Sequence, residues 1–249
     1  STTKVPDVYG KTESAGVSEL KAAGFTTVVT EMPSEDVEKG LIIKTSPQRT
    51  EVVEENAKIT IYVSSGKTIQ NVNAPSVTTM KQADAEKLLK DKKLIAEVEE
   101  VYYSKGSGYE YAPVGYVIKQ EPASGSSIAE GSTVKIYVNK GFSANITVNL
   151  PNDLSLEQYY VSLWADGVAV AESKMLDATQ LSKYTFENVT SKRDSGTYTV
   201  KIRSASSNAL DYQVITVDFK EGAAKRVGSY DDYKKLDADT SSSDNEDLN

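Results

Sequence analysis

The run GSTVKIYVNKG, Gly131 to Gly141, has a second copy upstream in NAKITIYVSSG, Asn56 to Gly66. Ile59 aligns with Val134, Ile61 with Ile136, Tyr62 with Tyr137, Val63 with Val138 and Gly66 with Gly141, each pair 75 residues apart (134 − 59 = 75). GLIIKTSP (Gly40 to Pro47) and GYVIKQEP (Gly115 to Pro122) keep the same offset, whereas Pro6 with Pro75, Leu20 with Leu89 and Phe25 with Leu94 are 69 apart. The second unit therefore carries six extra residues within IAEVEEVYYSKGSGYEYAPV. Self-similarity at this scale means that one supersecondary unit is used twice. The units run from about 5 to 66 and from 74 to 141, joined by KTIQNVN.

Each unit has one order of signals. A proline comes first in an extended segment, since Pro fixes φ and disfavours helix before it. A helix follows: Ala85, Leu88 and Leu89 form an apolar stripe at i, i+3 and i+4. In the first unit Thr12 can cap the start and Gly24 can close the end in left-handed geometry. Gly16 stands where the second unit has Ala85, weakening that helix by about 1 kcal/mol. Two strands come next. In the last one Ile59, Ile61 and Val63 alternate with Thr60 and Tyr62, so the branched residues face a core and Tyr62, like Tyr137, faces away. Each unit is thus a helix on a small sheet, with a core that is marginal at this size.

From Phe142 the pattern becomes pure β. ANITVNL, EQYYVSLWADG, VAVAES, KYTFENV, GTYTVKIRSA and DYQVITVDF alternate apolar and polar residues between turn signals. Six or seven short strands predict a sandwich. Beyond Lys220 the chain turns polar, and DADTSSSDNEDLN holds five acids and no base, which predicts a solvated acidic tail.

Composition removes whole classes of chemistry. With no Cys and no His, disulfides, thiol catalysis, thiolate metal sites, and His-dependent triads or zinc sites in their usual forms are excluded. Lys plus Arg is 28 against 36 Asp plus Glu, a net charge of −8, which argues against nucleic acid and other polyanions as partners. No G-x-G-x-x-G, H-R-D or D-F-G occurs, so no kinase catalytic domain is present, and no catalytic residue, cofactor or metal is expected. No apolar run approaches the roughly 18 residues of a membrane span, and no signal peptide opens the chain. The abrupt start STTKVPDV leads us to expect a piece of something longer.

Val5-Pro6-Asp7-Val8-Tyr9-Gly10, a helix ending Ala23-Gly24-Phe25, and in the second unit Gln120, Pro122, Gly125, Gly131 and Gly141 together resemble the PASTA domain. The first unit has Thr50 and Asn56 where the later glycines would be, and the second begins with Ala74 and Ser76. The resemblance covers roughly the first 140 residues. It implies a tandem module on the outer surface of Gram-positive bacteria, C-terminal to the membrane span of a Ser/Thr kinase or at the end of a penicillin-binding transpeptidase. In both, it implies binding to peptidoglycan or its muropeptide fragments. Asp194-Ser195-Gly196-Thr197-Tyr198 resembles the segment opening strand F of immunoglobulin-like folds, with Trp164 as the expected central core aromatic. Resemblance to CnaB-type modules raises an internal isopeptide bond, but Ile146 to Leu150 holds no Lys, so none is expected. An immunoglobulin-like domain after the repeats favours the kinase parent.

The expected architecture is therefore multi-domain: two small α+β PASTA repeats at 1–66 and 74–141, each one helix on a three-stranded sheet, with a linker at 67–73. An all-β immunoglobulin-like sandwich at 142–220 and the acidic tail at 221–249 complete it. The expected role is non-catalytic: a membrane-anchored kinase's extracellular sensor of muropeptides in the cell wall, with weak homodimerisation through the parent. A transpeptidase tail and a passive stalk are the alternatives. Candidate ligand contacts are Arg49, which can pair bidentately with a stem-peptide carboxylate, the tyrosines Tyr102, Tyr103, Tyr109 and Tyr111 around the insertion, and Tyr137. Two readings of the tyrosine stretch stand side by side: a stacking surface for sugar or peptide, or a β-hairpin turned by SKGSG. Tyr62 and Tyr137 can pack between repeats or contact ligand, and packing is the favoured reading. Glu54-Glu55 and Glu99-Glu100 point to opposite strand faces and make no shared site.

Overall fold

Thr12 caps the first helix, its Oγ1 accepting from the Ala15 N–H at 3.4 Å, and Gly24 ends the turn beyond it at φ +88°. In the computed structural model, which describes residues 1–237, this helix (α1, Glu13–Ala22) belongs to a first unit, Ser1–Asn71. With it are β1 (Thr2–Lys4), β2 (Thr26–Met32), β3 (Ile42–Ser46), β4 (Val52–Glu54) and β5 (Lys58–Ser64). β5 is central, parallel to β2 and antiparallel to β3, while β1 pairs β4 apart from that sheet. Ile59, Ile61 and Val63 are buried with Val5, Val8, Leu20, Phe25 and Ile42. Gly16 is explained by packing: a Cβ there would stand 2.1 Å from Ile42 Cδ1. The helix thus gives up some propensity for a close approach to the Ile42 side chain, which an alanine would have to displace.

The second unit, Val72–Asn249, rebuilds this module and then extends it. β6 (Asn71–Asn73), α2 (Gln82–Asp91), β7 (Ile95–Tyr103), β8 (Val117–Glu121) and β9 (Ser127–Ala129) precede β10 (Thr133–Asn149). β6 pairs β9, and β10 takes the central place between parallel β7 and antiparallel β8. Val77, Ala85, Leu89, Leu94, Val134 and Ile136 are among the buried residues of this core.

β10 does not stop where the repeat motif does. It runs on for 17 residues, and Gly141, the last residue of the repeat motif, lies inside it. Further along the chain come β11 (Gln158–Ala165), β12 (Val168–Glu172), β13 (Leu176–Asp177), β14 (Lys183–Ser191), β15 (Ser195–Arg203), β16 (Leu210–Asp218) and β17 (Ala223–Ser229). The second half of β10 pairs with β14, from Phe142 opposite Ser191 to Asn149 opposite Lys183. A second sheet orders β12-β11-β15-β16-β17, with β13 on β11. Ile146 and Val148 of β10, Phe186 of β14, and Tyr159, Val161, Leu163, Val200 and Ile215 of the second sheet join one core. Phe219 completes it from just beyond β16.

Three sequence expectations are corrected here. Trp164 is not the central core aromatic; it lies half-buried on the outer face, beneath Lys201 Nζ at 4.6 Å, while Tyr159 and Phe219 fill the core. Strand alternation decides this, because Tyr159, Val161 and Leu163 share the inner face and Trp164 falls out of phase. The tyrosine-rich stretch is not a hairpin, because β7 and β8 pair opposite edges of β10 and the connection must cross over. Nor does a solvated tail begin at residue 221. β17 pairs β16, and a 3₁₀ turn at Asp232–Lys234 buries Tyr233, with Leu236 close behind. Two well-placed apolar residues suffice to anchor a polar segment, and Tyr233 also donates to Asp153 Oδ2 at 2.8 Å. The remainder of the acidic stretch, 238–249, lies outside the described residues.

Candidate functional site

In the first repeat Arg49 is already engaged. Its Nη1 donates to Asp7 Oδ2 at 3.0 Å, and the guanidinium lies 4.3 Å from the Tyr9 ring centroid. Asp7 also accepts from the Tyr9 N–H at 3.2 Å, so the extended V-P-D-V segment presents the carboxylate. Both charged side chains are about half exposed, and an ion pair of this kind contributes at most about 1 kcal/mol. A ligand carboxylate can therefore exchange with Asp7 at little cost. The aligned second-repeat residues are Ser76 and Ser124, so the two repeats differ chemically at this place.

The second repeat carries a charged tyrosine cluster instead. Tyr137 donates its hydroxyl to Glu121 Oε2 at 3.0 Å, and Lys119 and Lys135 each hold Nζ 5.2 Å from its ring. Tyr109 packs against it with centroids 6.1 Å apart. Lys119 pairs with Glu121 at 2.6 Å, and Lys135 with Glu99. Hydrogen bonds from Lys119 and Tyr137 hold the Glu121 carboxyl below its ordinary range, and the same bond to Glu121 raises the Tyr137 phenol. Tyr62 in the first unit keeps one of these contacts, with Lys44 Nζ at 5.0 Å, while Ser46 and Thr60 stand in place of Glu121 and Lys135.

Tyr103 and Tyr111 turn inward. Tyr103 meets Tyr111 edge-on at 5.6 Å, and Tyr111 stacks on Phe142 at 6.1 Å. Tyr111 also donates to Asp194 Oδ2 at 2.6 Å, and that bond, with burial next, pushes its phenol up to about 12. Tyr102 lies under Lys140 Nζ at 4.8 Å. The insertion tyrosines therefore divide: Tyr109 joins Tyr137 at the surface, whereas Tyr103 and Tyr111 join the second repeat to the β-rich region that follows it. Arg49 belongs to the other unit. Among the described residues no group of three or more His, Cys, Asp or Glu is placed to hold a metal ion, and no helix is long and apolar enough to cross a membrane.

The PASTA domain model matches residues 3–65 and 72–140, more than half of the chain. The chain belongs to the PASTA-domain family. It is 32 % identical over 142 residues to the serine/threonine-protein kinase PrkC of Bacillus subtilis, covering 55 % of this chain and 20 % of that protein. A probable serine/threonine-protein kinase of Clostridium perfringens is 29 % identical over 214 residues, 84 % of this chain and 30 % of the relative. The chain thus spans less than a third of the length of these curated relatives. Among solved structures, the entire extracellular region of the Ser/Thr kinase PrkC from Staphylococcus aureus matches at 23 % identity and a TM-score of 0.32. That match covers 92 % of this chain and 76 % of the other.

Both PASTA repeats share a polar lock that the motif does not reveal. Ser64 donates to the Val37 carbonyl at 2.6 Å and accepts from the Gly66 N–H at 3.0 Å. Asn139, 75 residues on, donates to the Ala112 carbonyl at 2.9 Å and accepts from the Gly141 N–H at 3.0 Å. Ser and Asn look unrelated in alignment, yet they close the same loop onto the same strand. A second buried group, Gln120, accepts from the Val77 N–H at 2.8 Å and donates to the Pro75 carbonyl at 3.0 Å. Its first-repeat counterpart, Thr45, is buried with no partner for its hydroxyl among the described residues.

Proposed function

We propose that this PASTA chain is the extracellular, non-catalytic sensor portion of a membrane-anchored Ser/Thr kinase of a Gram-positive bacterium, and that its repeats bind muropeptide fragments of the wall. In this reading the β-rich region after the second repeat is an immunoglobulin-like sandwich, and weak self-association occurs through the parent kinase. The observation that carries the ligand reading is the Arg49–Asp7–Tyr9 arrangement. A guanidinium held over an aromatic ring by an exposed, exchangeable carboxylate suits capture of a stem-peptide carboxylate. The Tyr109–Tyr137 cluster offers the second repeat a different, weaker contact through ring faces and paired charges. Two modest sites on one chain raise avidity without a deep pocket. The kinase relatives favour a kinase parent over a transpeptidase.

Titration of the chain with defined muropeptides, followed by amide chemical shifts, tests this. We expect saturable shifts around Asp7, Tyr9 and Arg49, weakened about tenfold in Arg49→Ala. No saturable shift in either repeat at millimolar ligand sinks the sensor reading and leaves the stalk.

A further inference from the structure

A cleft lies away from both repeats' candidate contacts, where β14 turns into β15. It has a volume of about 650 Å³, and its lining includes Lys192, Arg193, Ser195, Thr197 and Thr216 together with Asp166 of the β11–β12 turn. That volume is in the range of small-molecule sites, roughly 300–1,000 Å³. We propose that this cleft binds a hydroxylated ligand carrying a single negative charge, a uronate-type sugar or a phosphodiester-linked polyol.

The charge requirement comes from Arg193. Acids outnumber bases in this chain, yet neither Lys192 nor Arg193 has an ion-pair partner among the described residues. Lys192 spends its ammonium on the Lys140 carbonyl at 2.7 Å, whereas the Arg193 guanidinium makes no side-chain bond at all within the described residues. A planar fork of donors beside a cleft matches a carboxylate or a phosphodiester bidentately. The hydroxyl requirement comes from Ser195, Thr197 and Thr216, whose side chains line the cleft without a hydrogen bond to the described protein. They can each donate to or accept from a polyol. Asp166 in the same lining limits the charge, since a carboxylate there repels a second anion while accepting from ligand hydroxyls. Arg193 is flanked by Lys192, bonded to Lys140 in β10, and by Asp194, bonded to Tyr111 of the insertion.

The test is a titration of the isotope-labelled chain, by amide shifts, with methyl glucuronide, glycerophosphoglycerol and, as the uncharged comparison, methyl glucoside. We expect saturable shifts confined to 191–197 and Thr216 with at least one anionic probe, none with methyl glucoside, and binding about tenfold weaker or more in Arg193→Gln. Which anionic probe binds distinguishes the sugar acid from the phosphodiester. Arg193 is exposed, so the variant's remaining spectrum should stay unchanged and report that it folds. Silence with both anionic probes, equal binding of methyl glucoside, or an Arg193→Gln variant that binds like the parent each overturns the proposal. None of these outcomes bears on muropeptide binding at Arg49 or Tyr137, which shifts a separate set of amides.

Discussion

Thr45 and Gln120 occupy one position of the repeat and show what a single side chain decides there. Gln120 is long enough to bridge the sheet to the entering Pro75–Val77 segment, satisfying a backbone N–H and a carbonyl; Thr45 is too short, and its hydroxyl is orphaned in the core. Burying an unpaired hydroxyl is unfavourable, so Thr45→Val is expected to raise the stability of the first unit by about 1 kcal/mol in denaturant unfolding. A loss of stability would mean that the hydroxyl has a partner. At this scale the sequence was partly legible. The caps at Thr12 and Gly24, and the outward aspect of Tyr62, follow from local rules. The backbone at Thr50 and Asn56 does not: both hold positive φ, 67° and 64°, where the second repeat has Gly125 and Gly131 at 83° and 82°. The glycine signal is gone, but the turn it marks persists because the surrounding repeat imposes it.

At the scale of elements, the loop before β8 is fastened by Asn139, as the loop before β3 is by Ser64. Asn139 is 1 % exposed, so Asn139→Ala strands the Ala112 carbonyl and the Gly141 N–H in a dry interior. We expect it to cost the second unit roughly 2–3 kcal/mol, whereas Asn139→Ser keeps part of the lock and costs less. Equal losses for the two variants would show that packing, not hydrogen bonding, matters there. The continuity of β10 was the element least evident from sequence, because Gly141 and the change of pattern at Phe142 read as a break. A usable signal did exist: Val134, Ile136, Val138, Phe142, Ala144, Ile146 and Val148 all keep one even-numbered phase. Tyr233 and Leu236 offered no such signal, since two apolar residues in DDYKKLD show no period.

Over the second unit as a whole, the tyrosine insertion is what a repeat needs when it must carry another domain. Six additional residues lengthen β7 to nine residues, against seven for β2, and bring Tyr103 and Tyr111 against Phe142. Gly141 permits the approach: a Cβ there would meet the Ser191 carbonyl at 2.7 Å and the Tyr102 ring at 2.8 Å. The Tyr111–Asp194 bond makes this joint sensitive to alkali. Because the folded phenol titrates at about 12 rather than near 10, its stabilisation is complete below pH 10 and is lost as pH rises through 12. The stability difference between the protein and Tyr111→Phe should therefore shrink across that window, as followed by denaturant midpoints. A constant difference would show that the hydroxyl contributes nothing to folding.

Because the second repeat and the β-rich region after it share β10, the two should open as one cooperative body. Native-state hydrogen exchange along that strand measures this. Amides at Val134, Ile136 and Val138 on one side of Gly141, and at Ile146 and Val148 on the other, should converge on a single opening free energy and denaturant slope. Two separate isotherms, with the half after Gly141 opening while the repeat half stays protected, would contradict it.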